Sequence, residues 1–137
     1  EWVTLAVLVH NRSWDEYRSL QRQRLYTELT APHPSKRVIG VLGLGMLGRE
    51  AALTLKNIGY QVKGWSNSPK VIDQVQCFYG RDGLSSLLCE VDILICMLPL
   101  TEQTRGILNS DLFLLVFFLQ KFCIYHRKLF LSLRVFL

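Results

Sequence analysis

Residues 37–50 read RVIGVLGLGMLGRE, and the order of residue types within them decides the fold. Val38 to Leu42 is a short, continuously apolar run, the composition of a strand buried on both faces of a parallel sheet. Gly43, Gly45 and Gly48 then follow in the spacing G-x-G-x-x-G. Apolar residues at Leu47, Ala51, Leu53, Leu55 and Ile58 carry a helix from Met46 to Ile58, and Gly59 supplies its stop. Each glycine has a separate task in such a turn. Gly43 permits the tight exit from the strand, and Gly45, without a Cβ, lets a ligand come up against the backbone. Gly48 allows the helix to pack closely on the sheet. The unpaired amides and positive dipole end of the helix then face any anion that lies in the turn.

The alternation continues beyond this unit. Tyr60 to Trp65 reads as a second strand, Val75 to Tyr79 as a third and Leu84 to Cys89 as a short helix. Val91 to Leu98 is a fourth, strongly apolar strand ending at Pro99. Strands alternating with helices imply right-handed crossovers and a parallel sheet. The expected fold is therefore α/β, a partial Rossmann sheet with flanking helices over residues 37–111, preceded by a helical segment. In that setting the glycine spacing points to a bound dinucleotide.

The end of the second strand selects which dinucleotide. NAD enzymes usually carry an Asp or Glu there, about 20 residues past the glycines, to hold the adenosine ribose. Here the place after Gly64 and Trp65 holds Ser66, followed by Asn67, Ser68, Pro69 and Lys70. An acid would repel the 2′-phosphate of NADP by roughly 4 kcal/mol at ~4 Å and an effective dielectric of about 20. Ser66 removes that repulsion, and the hydroxyls together with Lys70 offer phosphate partners, so NADP is favoured over NAD. Serines capping the next turn would give the same pattern. After the fourth strand, Leu98 to Thr104 should lie beside the cofactor, because ligands of such sheets bind at the carboxyl ends of strands. Thr101 also fits an N-cap, with Thr104 three residues on.

The flanks differ from this middle. Trp2, Leu5, Ala6 and Val9 recur at helical spacing, and Ser13 with Glu16 reads as a capping box opening a second helix through about Leu25. Residues 30–36, TAPHPSK, form a linker because Pro32 and Pro34 disfavour helix around them. The chain begins at Glu1 without Met, which suggests a cut or unsequenced start. Residues 112–137 alternate apolar runs (LFLLVFFL, FCIY) with Lys121, His126, Arg127 and Lys128, and hold neither Gly nor Pro. The runs fall short of the about 20 residues that a membrane span needs.

Net charge is +5, yet residues 1–111 hold twelve Lys/Arg against eleven acids, and the excess lies in the acid-free tail. A nearly neutral body argues against nucleic-acid binding. Cys77, Cys89, Cys96 and Cys123 show no Cys-x-x-Cys pair, so they read as reduced thiols, Cys89 and Cys96 as small hydrophobes, in a cytoplasmic protein without a metal site. His10, His33 and His126 stand alone as surface or packing residues.

Taken together, VIGVLGLGMLG, VKGWSNSPK, FYGRDGLSSLL and DILICMLPLTEQTRGILN resemble the D-isomer-specific 2-hydroxyacid dehydrogenase family, in its glyoxylate/hydroxypyruvate reductase branch. The likeness covers residues 37–111, and WVTLAVLVHNRSWDEYR looks like the segment leading from the substrate domain into the nucleotide domain. The resemblance implies an NADP or NAD cofactor held by Gly43, Gly45, Met46, Leu47, Gly48, Ser66, Lys70, Leu98, Pro99 and Thr104. It implies reduction of small 2-keto acids such as glyoxylate or hydroxypyruvate, and a homodimer packed through the opening helices. The family's catalytic Arg, acid and His come later in the chain. Arg127 and Arg134 do not stand in the family's Ala-Arg-Gly setting, so no catalytic residue is assigned. The expectation is an inactive fragment of a truncated or frameshifted product. The alternative is a non-catalytic module that binds a dinucleotide or a partner.

Overall fold

The computed structural model describes residues 1–107, 109 and 122–125. Two helices open the chain, α1 (Trp2–Asn11) and α2 (Trp14–Arg22). A single 3-10 turn, Pro34–Lys36, then leads into β1 (Val38–Leu42), α3 (Met46–Ile58), β2 (Gln61–Ser66), β3 (Gln76–Tyr79), α4 (Gly80–Glu90) and β4 (Ile93–Cys96). A fifth strand, β5 (Phe122–Tyr125), comes from the C-terminal tail. The sheet order is β3-β2-β1-β4-β5, and all neighbours are parallel. The α/β reading of residues 37–111 holds, and FCIY extends it. That run, expected to belong to an atypical tail, pairs along β4 with Ile93 opposite Phe122.

Both faces of the sheet are covered, and successive residues of each central strand serve opposite sides, as the two-residue repeat of a strand requires. Ile39 and Val41 of β1 and Ile93 and Ile95 of β4 join Val3, Val7, Ala52 and Leu55 in the core under α1 and α3. Leu42, Leu94 and Cys96 face the other way and pack with Leu87, Leu88 and Val91 around α4. This is why β1 and β4 are continuous apolar runs. At the far end of the sheet, Val38 N–H donates to Asp92 Oδ2 (2.8 Å) and Asp92 N–H donates to the Val38 carbonyl (2.8 Å), fixing the starts of β1 and β4 together.

Several local expectations need correction. The buried row of α1 is Val3, Val7 and Asn11, spaced by four, whereas Trp2 and Leu5 are more than half exposed. The helix is apolar on more than one side, and packing against α3 and the sheet chooses between them. Ser13 sits at φ 49°, left-handed, and its hydroxyl makes no capping bond. An N-cap aims its side chain at the first-turn amides from extended backbone, so the expected Ser13–Glu16 box does not form. Helix α2 ends at Arg22, short of Leu25. Arg24 turns left-handed (φ 56°) and Leu25 N–H closes on the Leu20 carbonyl (3.0 Å), a Schellman stop with Arg where Gly is usual.

In α3 the buried row is Gly48, Ala52 and Leu55, while Leu47 and Ile58 are exposed. Gly59 ends it in the left-handed region as expected. α4 begins at Gly80, earlier than Leu84, and β4 is shorter than Val91 to Leu98. Cys96 is buried, and burial raises its thiol pKa against a weaker opposing hydrogen bond from the Leu98 backbone. Cys89 is exposed and does not act as a core residue.

Candidate functional site

The carboxyl ends of β1, β2 and β4 converge on the amino end of α3, and the three glycines meet different surroundings there. Gly43 lies at φ 96° and its N–H donates to the Trp65 carbonyl (2.8 Å). A Cβ on it would stand about 3 Å from the Met97 and Leu98 backbone, so this turn needs glycine for conformation and for space. Gly48 has no room at all: its Cβ would lie 1.8 Å from the Gly43 carbonyl oxygen. Gly45 is the opposite case. It has ordinary backbone at φ −70°, and its Cβ would meet nothing within 4 Å. The protein's own packing gives no reason for glycine at 45. The missing side chain leaves the backbone at 45 open to approach from outside.

Gly45 is also the N-cap of α3 and supplies no side-chain bond to the first-turn amides, which leaves them directed into the opening. Between Gly43 and Gly45, the Leu44 side chain turns inward across β2. There Gly64 admits it, since a Cβ on Gly64 would fall 2.6 Å from Leu44 Cδ2. Met46 and Leu47 flank the opening as exposed residues.

Two clefts border this turn. One, of about 370 Å³, brings Gly45 and Met46 together with Arg49 and Lys70. The other, of about 590 Å³, brings Leu98 and Thr104 together with Trp65, Asn67, Arg81 and Arg105. Between them the walls carry four cations, Arg49, Lys70, Arg81 and Arg105, against one acid, Glu50. That balance, with a helix amino end, suits an anionic ligand.

The expected binding residues are not all alike in this setting. Ser66 is buried, and its hydroxyl donates to the Ser68 carbonyl (2.6 Å), so its proton already serves the loop after β2. Lys70 lies in the smaller cleft, beside the glycine turn and apart from Trp65 and Asn67. Leu98 packs against Gly43. Pro99 is exposed, and its carbonyl accepts from the Thr104 hydroxyl. Thr101 N–H donates to Thr104 Oγ1 (2.8 Å), and Thr104 N–H donates to Thr101 Oγ1 (3.3 Å). The two threonines thus knot the loop after β4 as a turn; no helix follows Thr101 in the described residues.

Sequence reasoning did not single out Trp65, Asn67 or Arg81. Trp65 is the penultimate residue of β2, and its indole Nε1–H donates to the Gly80 carbonyl (2.7 Å), which ties the wall of the larger cleft to the start of α4.

The sequence profile of the D-isomer specific 2-hydroxyacid dehydrogenase NAD binding domain matches residues 4–116. The chain belongs to this family. A glyoxylate/hydroxypyruvate reductase A of Yersinia enterocolitica is 42% identical over 113 residues, covering 82% of this chain and 36% of that protein. One from Photorhabdus laumondii is 43% identical over the same length. Among solved structures, the NADPH-dependent glyoxylate/hydroxypyruvate reductase of Sinorhizobium meliloti, in complex with NADP and sulfate, superposes with a TM-score of 0.80 at 37% identity. That match covers 83% of this chain and 36% of the other. A D-isomer specific 2-hydroxyacid dehydrogenase of Xanthobacter autotrophicus, in complex with NADPH and MES, superposes at 0.79 and 37% identity, covering 82% of this chain and 36% of that one. The chain spans about a third of the length of the relatives it matches. What it matches in this dehydrogenase family is the NAD-binding domain.

Proposed function

We propose that this chain is the nucleotide-holding part of a D-2-hydroxyacid dehydrogenase that prefers NADP over NAD and reduces small 2-keto acids such as glyoxylate or hydroxypyruvate. The observation that carries the reading is Gly45: a helix amino end with bare amides and a missing Cβ that faces open space. A diphosphate laid there accepts from the first-turn amides of α3 and meets no side chain. Gly43 and Gly48 keep the turn tight enough to present those amides, with Met46 and Leu47 at its rim. Leu98, Pro99 and the Thr101–Thr104 knot form the opposite lip, Ser66 closes β2 on the adenosine side, and Lys70 stands beside the glycine turn. No acid stands at the close of β2 to repel a 2′-phosphate, and NADP and NADPH occupy the Sinorhizobium and Xanthobacter relatives. When bound, the reduced nicotinamide supplies a hydride for a keto carbon.

The residues that would hold a keto acid's carboxylate and protonate its oxygen in this family lie beyond the segment matched here. Without a positioned cation and a proton donor, orientation and acid catalysis are both lost. The chain by itself is therefore expected to bind nucleotide without turnover. Titration of the full chain with NADPH and NADH, followed by a glyoxylate turnover assay, tests both halves. Failure to bind either nucleotide overturns the reading, and glyoxylate-dependent oxidation of NADPH overturns the inactivity.

We also propose a homodimer through the opening helices. Trp2, Leu5 and Trp14 are each more than half exposed there. Sedimentation of Trp14→Glu against the unaltered chain tests this, and an unchanged monomeric mass in both would refute it. No helix among the described residues is long and apolar enough to cross a membrane.

A further inference from the structure

We infer that Arg81 is the cation that reads the adenosine 2′-phosphate and so sets the preference for NADPH over NADH; the inference rests on the dinucleotide reading above. Strand register places it. Ser66, the last residue of β2, pairs with Tyr79, the last residue of β3. The chain beyond each strand therefore emerges at the same height on adjacent strands, about 4.8 Å apart. Asn67 follows on one side, Gly80 and Arg81 on the other. The Trp65 indole bond to the Gly80 carbonyl fastens that junction, and Gly80 turns it at φ 68°. Arg81 is thereby fixed at the start of α4, beside the end of β2, where the ribose of a nucleotide on this sheet lies. Its side chain lines the same cleft as Trp65 and Asn67.

The competing groups fit less well. The Ser66 proton is engaged with Ser68, and Lys70 lines the other cleft. Arg105 shares the larger cleft but follows β4, which the sheet order sets two strand spacings from β2 across β1. Arg81 also has no carboxylate partner among the described residues, unlike Lys63, which is paired with Glu90. A guanidinium suits a phosphate because its planar fork can donate two bonds at once.

The test is calorimetric titration of the full chain with NADPH, NADH, and adenosine 2′,5′-bisphosphate against adenosine 5′-monophosphate. Arg81→Gln is expected to weaken NADPH and the bisphosphate by ~10–100-fold, the worth of a hydrogen bond to a charged group, and to leave NADH and the monophosphate within about twofold. Arg81→Lys should keep part of the discrimination, and added salt should erode it in the unaltered chain more than in Arg81→Gln. Circular dichroism on each variant confirms that it is folded. Equal losses for NADPH and NADH would mean that Arg81 packs on the base, and would overturn the assignment. So would loss of discrimination in Arg105→Gln with Arg81→Gln unaffected. If the unaltered chain binds neither nucleotide, the dinucleotide reading falls and this one with it. Binding of both with no effect at Arg81 refutes this inference alone.

Discussion

Paired alanine substitutions at Gly45 and Gly48 separate the structural from the ligand-facing glycines of the turn. At Gly48 the new methyl would lie 1.8 Å from the Gly43 carbonyl oxygen. Carbon and carbonyl oxygen ordinarily approach to about 3.3 Å, so the shortfall is roughly 1.5 Å. The clashing atom is backbone and cannot rotate away, so the helix must lift off the end of β1. Overpacking of this kind costs about 1–3 kcal/mol where side chains can yield, and the upper end or beyond is expected here. At roughly 4 °C per kcal/mol for a domain of this size, thermal unfolding should fall by about 10 °C or more.

At Gly45 the methyl enters open space on unstrained backbone. Lower unfolded-state entropy stabilises by about 0.4–1 kcal/mol, and the poorer N-cap offsets a similar amount. Stability should stay within about 1 kcal/mol, while NADPH affinity falls at least ~10-fold because the methyl stands where the diphosphate meets the amides. Urea unfolding followed by circular dichroism reads the first quantity and nucleotide titration the second. A Gly45→Ala chain that binds NADPH as tightly as its parent would refute the account of the turn, and an undiminished unfolding midpoint for Gly48→Ala would refute the packing argument.

Other expectations are more local. Asp92→Ala leaves the Val38 amide without its acceptor and should cost about 1–3 kcal/mol in urea unfolding, with little effect on nucleotide affinity. Glu90→Gln removes the half-exposed partner of Lys63, and its cost, at most about 1 kcal/mol, should shrink further in high salt. Burial, with a smaller contribution from Arg37, holds the His10 imidazole below its ordinary pKa of 6.5. The unfolded chain therefore takes up a proton more readily than the folded one as pH falls below 6.5. Stability is fully present above that value and is lost as pH falls through the folded pKa. Urea midpoints measured between about pH 7 and 5 should drop, and should flatten in His10→Gln if this group is the cause.

The β1–α3 unit was legible in the sequence because each local signal agreed with its neighbours. An apolar run, the glycine spacing and the Gly59 stop all specified one strand, one turn and one helix. The flanking helices were harder. α1 offers apolar residues on several sides, and only packing against α3 and the sheet selects Val3 and Val7. Ser13 has the residue type of a cap but a backbone that cannot make one. The tail strand Phe122–Tyr125 carries no turn residues to announce it, and only its pairing with β4 reveals it. At the site, an exposed arginine such as Arg81 cannot be told from a solvated charge until the register of β2 against β3 sets it beside Asn67. Leu44 fits the same pattern: an x of the glycine spacing, it becomes a core residue because Gly64, on another strand, makes room for it.

The indole of Trp65 gives the molecule a built-in optical gauge. In a single copy of the chain Trp2 and Trp14 are 57% and 55% exposed, whereas Trp65 is 4% exposed and lines the larger cleft. Wherever no second copy covers the outer pair, an aqueous quencher such as iodide should silence it and leave a blue-shifted emission from the third. A reduced nicotinamide seated nearby would draw energy from that residual light. Occupancy could thus be followed in the native chain without a dye, a label or an engineered residue.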